Sequence, residues 1–123
     1  SSPSMDILVS SNLERLIFHL LGNNAEKTAE SMTNLKKYGQ YELTNFDSEM
    51  LALFAAEYAT EVETASEIKR VYETSNYIED PHTAVASAVY QKYRTKTGDD
   101  TKTVVVSTAS PYKFPVVAVE ALT

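Results

Sequence analysis

Few side chains in this sequence have the type and spacing to do chemistry. Ser107 and Thr108 place two hydroxyls at the end of "KTVVV", residues 102 to 106, a β-branched apolar run that reads as a strand buried on both faces. Ligands in open α/β sheets gather at the carboxyl ends of strands, so hydroxyls there are candidate ligand contacts. A Ser/Thr turn or a helix cap accounts for the same two residues. His82 is the second candidate. It falls in the first turn after Asp80 and Pro81, in "EDPHTA", where a helix start presents unpaired N–H groups that can hold an anion or a polar cofactor atom. Plain capping explains that position as well. His19, the only other histidine, lies mid-helix beside a leucine stripe and reads as a partly exposed helix residue. Two distant histidines without cysteine form no metal-ligand cluster. No Ser, His and Asp spacing suggests a catalytic triad, and no glycine-rich loop would cradle phosphate. Glu57, Glu61, Glu63 and Glu67, and the pairs Lys36 with Lys37 and Lys69 with Arg70, fall at the spacing of solvated helix faces.

The elements that must carry these residues are mostly helical. Leu13, Leu16, Ile17, Leu20 and Leu21 form one apolar stripe and predict a helix over about 12–21, opened by Ser11 with Glu14 as a capping box and stopped by Gly22. Asn24 caps a second helix, about 25–38, which ends at Gly39. "QYEL" at 40 to 43 is a turn or a short second strand. Met50, Leu51, Phe54 and Tyr58 predict a third helix over about 47–58. Thr60 with Glu63 opens a fourth, about 61–74, whose stripe is Val62, Ala65, Ile68, Val71 and Tyr72. Asp80 and Pro81 start a fifth, about 81–96, apolar nearly all round its first turns and closed by Gly98. A last helix, about 115–122, ends the chain. The expected class is predominantly α, five to six helices with one or two short strands, the firm one at about 102–107.

Composition narrows the partners. The 123 residues carry a net charge of −6, which argues against nucleic acid and anionic membrane surfaces. Zero cysteines exclude disulfides and fit a reducing cytosol. No stretch approaches a membrane span. The lone strand is the awkward feature. Its buried N–H and C=O groups need neighbouring strands, and the sequence offers only "QYEL". The expectation is therefore that the sheet partners are missing and the chain is a piece of a larger α/β protein.

Three segments carry a resemblance. "SPSMDILVSSNLERL" at 2 to 16, "DPHTAVA" at 80 to 86 and "TGDDTKTVVVSTASPYKF" at 97 to 114 occur in the order found in the C-terminal part of the threonine synthase family. The resemblance implies a region, residues 1–123, at the carboxyl end of a pyridoxal-phosphate (PLP) lyase of the tryptophan-synthase-β type. Such an enzyme serves threonine biosynthesis in the cytoplasm, converting O-phospho-L-homoserine and water to L-threonine and phosphate. It implies that the Schiff-base lysine and phosphate cup lie upstream, that the isolated piece is inactive and without cofactor, and that its partner is the remainder of the parent enzyme. In the family pattern "STAHPAKF" the Thr lies near the cofactor's pyridine nitrogen, and Thr108 in "STASPYKF" matches it. A neutral hydroxyl there tunes how strongly the ring acts as an electron sink. Ser107, and His82 and Thr83 in the family's "PHTA", border the same region by resemblance. Ser110 stands where the family often has His and Tyr112 where it often has Ala. No catalytic residue and no metal ligand are implied within this chain.

Two expectations complete the reading. The exposed edge of residues 103 to 107 should make the isolated piece self-associate. The competing reading is an independent helical module that binds a protein partner through acidic helix faces and has no activity.

Overall fold

The computed structural model describes residues 9–123, which divide into two compact units, one ending at Ala55 and one running from Ala56 to Thr123. Residues 2–8 of the first motif lie outside the described residues.

The first unit holds α1 (Ser11–Leu20), α2 (Ala25–Tyr38) and α3 (Ser48–Leu51). Ile17, Leu20 and Leu21 of the predicted stripe are buried, whereas Leu13 is half exposed. The cap of α1 is Ser10 rather than Ser11, its hydroxyl accepting from the Leu13 N–H at 3.4 Å. Asn24 caps α2 by accepting from the Lys27 N–H, and Gly39 ends it with φ of 73°, the left-handed conformation that costs glycine least. Thr28 and Ser31 are buried on α2, yet their hydroxyls donate to the carbonyls of Asn24 and Lys27, so neither is left unpaired. Near α1's end, His19 lies exposed with Nδ1 2.7 Å from Asn23 Oδ1.

The third helix is shorter than its pattern predicts. It stops at Leu51, and Leu53 and Phe54 continue only as i→i+3 turns. The reason is packing. Leu53, Phe54 and Tyr58 are 83%, 55% and 70% exposed, and helical turns that bury so little apolar surface are marginal in water.

The second unit holds α4 (Glu61–Ser75), α5 (Pro81–Thr97), a 3₁₀ turn (Pro111–Lys113) and α6 (Pro115–Leu122). Thr60 and Glu63 form a complete capping box at α4's start. Lys92 of α5 reinforces that corner, its Nζ donating to Glu63 Oε1 at 2.8 Å and to the Tyr58 carbonyl at 2.7 Å. The Lys92 hydrogen bond, with those from Thr60, holds the Glu63 carboxyl down to about 2.

Ile68 of α4, Ala84 of α5 and Ala121 of α6 form the core of this unit, with Ala65 and Leu122 packed on it. Small residues on α5 and α6 let three backbones approach one isoleucine. The buried face of α4 is Thr64, Glu67 and Ile68; Val62, expected on it, is 76% exposed.

No strand occurs among the described residues, neither at 102–107 nor at 40–43. Val104 and Val106 are 87% and 70% exposed rather than buried. A strand exists only where its N–H and C=O groups pair with a neighbouring strand, and the described residues hold no other strand for the valine run to pair with.

Candidate functional site

The start of α5 gathers the polar residues of the second unit. Asp80 is 1% exposed, and its Oδ1 accepts the N–H groups of His82 at 2.9 Å and Thr83 at 3.2 Å, satisfying two of the helix's unpaired donors. Pro81, at the first helical position, has no N–H to satisfy. The Thr83 hydroxyl donates to Asp80 Oδ2. The Ser107 hydroxyl lies 3.5 Å from the same carboxylate oxygen and 3.1 Å from Thr83 Oγ1. Burial works to raise the Asp80 carboxyl, but the Thr83 hydroxyl, the two N–H groups and the His82 side chain outweigh it and hold the carboxyl below its ordinary value.

Aromatic packing ties the same two segments a second time. The His82 ring stands edge-on to Phe114 with centroids 4.9 Å apart. Ser107 and Phe114 both belong to the stretch between α5 and α6, so that stretch returns to the helix start at two points. Thr108 is exposed immediately beyond Ser107. The fold thus brings Ser107, Thr83 and His82 together, and Thr108 joins them only as the residue next in the chain.

A second polar cluster lies between α4 and α5. Glu67, 6% exposed, accepts two hydrogen bonds from Arg70, at 2.8 and 2.6 Å, and one from Ser87 at 2.6 Å. The Arg70 hydrogen bonds lower the Glu67 carboxyl, against the opposing effect of burial. Glu79 is equally buried, and its Oε2 has no hydrogen-bond partner. Burial, aided by the nearby Glu67 charge, pushes the Glu79 carboxyl up. Sequence reasoning missed this cluster. Glu67 and Arg70 at i, i+3 gave a local signal for the ion pair, but nothing local pointed to Ser87 or to burial of Glu79. Asp80 was legible as a cap, not as the acceptor for a hydroxyl 27 residues away.

These residues sit in a region with recognisable relatives. Residues 83–123 match the family described as threonine synthase, C-terminal. The chain is 36% identical to the threonine synthase of Pseudomonas aeruginosa over 115 residues, an alignment taking in 93% of this chain and 24% of that protein. The crystal structure of threonine synthase from yeast superposes with a TM-score of 0.81 at 32% identity, covering 98% of this chain and 27% of that one. PLP-bound threonine synthase from Brucella melitensis gives a TM-score of 0.75 at 32% identity, covering 98% of this chain and 25% of that one. The likeness defines the class first: a helical region shared with the carboxyl-terminal part of a much longer enzyme. The chain belongs to the threonine synthase family, and it spans about a quarter of the length of the relatives it matches.

Proposed function

We propose that this chain is the carboxyl-terminal part of a cytoplasmic threonine synthase that converts O-phospho-L-homoserine and water to L-threonine and phosphate with PLP. The observation that carries the reading is the likeness over nearly the whole chain to threonine synthases four times as long. The surface agrees with it, because Val104, Val106, Tyr112, Val116 and Val119 are all more than half exposed, as residues covered by the rest of a larger protein would be in isolation.

The described residues fit one edge of the cofactor. A hydroxyl segment ending in exposed Thr108 offers a neutral partner for a pyridine nitrogen. Gly22, Gly39 and Gly98 all have positive φ where helices end, so none belongs to a glycine-rich anion cradle. Thr108 would face the ring nitrogen, Ser107 and Thr83 would support it, and the His82 ring against Phe114 would close the edge behind them. PLP, when bound, supplies the electron sink. A neutral hydroxyl would leave the ring nitrogen unprotonated, moderating that sink, whereas a carboxylate there would hold the proton. The lysine and phosphate cup would come from the remainder of the parent enzyme, and the chain alone would be inactive.

The test uses two proteins. The full-length protein containing this segment, supplied with PLP, should release phosphate from O-phosphohomoserine, and Thr108→Val should change the cofactor's absorption spectrum. This chain alone should take up no PLP at a defined site. Stoichiometric, site-specific PLP binding by the chain alone would overturn the reading. The isolated chain should also self-associate through the uncovered valine run; a strictly monomeric species in light scattering at high concentration would count against that.

A further inference from the structure

We infer that Asp80 and Thr83 form a positioning pair for the hydroxyl segment: the start of α5 fixes the Ser107 side chain, and through it the direction in which Thr108 presents its hydroxyl. The inference deepens the proposed function and rests on its reading of Thr108.

Residues 98–110 have no regular secondary structure, so no ladder or helix sets the orientation of Thr108. What remains is side-chain anchoring, and it is concentrated on the residues flanking Thr108. Before it, Ser107 Oγ reaches both Thr83 Oγ1 and Asp80 Oδ2, at 3.1 and 3.5 Å. After it, the Ala109 carbonyl lies 3.5 Å from the same Ser107 hydroxyl, a second acceptor that competes with the anchor for its single proton. Further on, Phe114 packs against the His82 ring.

The anchor itself is stiff. Asp80 and Thr83 are 1% and 4% exposed, and Oδ1 of Asp80 is committed to two backbone N–H groups, which fixes the carboxylate plane and leaves Oδ2 for hydroxyls. Hydrogen bonds to an ionised carboxylate are the stronger kind, and Asp80 is held in that form. A buried, charged, doubly capped acceptor is more than a helix cap requires, since the cap is already complete with Oδ1 alone. Asp80 and Thr83 do not touch the cofactor in this scheme; they are positioning residues for Ser107, and Ser107 for Thr108.

The test begins with this chain. Thr83→Val keeps the shape of the side chain and removes its hydroxyl, while Thr83→Ser keeps the hydroxyl. In NMR spectra the Ser107 Hα–Hβ couplings should report a single rotamer in the wild type and in Thr83→Ser, and rotamer averaging in Thr83→Val. Equal couplings in the wild type and Thr83→Val would overturn the inference. If Thr83→Val does not fold, Ser107→Ala at its exposed position reads the same link from the other end. The order parameter of the Thr108 amide should then fall from about 0.85 to below about 0.6; no change overturns the inference.

In full-length protein carrying PLP, Thr83→Val should shift the cofactor's absorption and Thr83→Ser should restore it. A spectrum altered by Thr108→Val but not by Thr83→Val overturns the positioning role and leaves the proposed function standing. A spectrum unmoved by Thr108→Val overturns the reading of Thr108 itself, while the couplings in this chain still decide whether Thr83 pins Ser107.

Discussion

Glu79 and Glu67 are buried carboxyls of one cluster whose proton affinities are shifted in opposite directions. Glu79 is raised by burial and by the Glu67 charge, so the folded chain holds its proton more tightly than the unfolded chain does. Its contribution to stability is therefore greatest at low pH and is lost as pH rises from the ordinary carboxyl value of 4.5 through the raised one. Glu67 is lowered by Arg70, against burial, so its contribution is present above 4.5 and is lost as pH falls. Glu79→Gln should remove the first slope and keep the second, raising stability near neutral pH by about 1 kcal/mol or more. Urea unfolding across roughly pH 4 to 8 checks this. A variant whose stability still declines with rising pH as the wild type's does would show that Glu79 is not the titrating group.

At the scale of the element, local chemistry decides where helices begin and end. Thr60 and Glu63 satisfy each other's backbone donors at the start of α4, and Lys92 joins them from α5. Thr60→Ala should cost about 1 kcal/mol, read from the urea midpoint at unchanged slope. A neutral result would mean that the Lys92 bonds to Glu63 and the Tyr58 carbonyl hold that corner unaided. Local pattern was misleading where packing had to agree and did not. Met50, Leu51, Phe54 and Tyr58 share one helical face, yet the chain leaves the helix after Leu51, where Phe54 and Tyr58 are left mostly in water and add little burial to hold further turns. Val62 fits the predicted stripe and still faces solvent, because the inner face of α4 is Thr64, Glu67 and Ile68, on the far side of the helix from it.

The second unit, taken whole, rests on a small core. Ile68 is fully buried between Ala84 and Ala121, with Ala65 and Leu122 packed against them. Ile68→Ala should cost about 2 to 5 kcal/mol, the range for truncating a fully buried isoleucine. Calorimetry on the variant measures it, and a loss below 1 kcal/mol, the range of an exposed site, would mean that the site collapses or that the core lies elsewhere.

The sequence alone determined the helix boundaries that depend on neighbours three or four residues apart: the caps at Asn24, Thr60 and Asp80, the proline at the start of α5, and the left-handed stops at Gly39 and Gly98. It also carried the three motifs that place the chain in its family. Only the tertiary structure decided the fate of "KTVVVSTAS". Three valines in a row are a strand when partners exist and an exposed, irregular segment when none lies alongside, and pairing is a property of two segments. The hydroxyls followed the same rule. Ser107 is anchored because Asp80 and Thr83, 27 and 24 residues earlier, turn toward it across the fold, a contact no local spacing encodes.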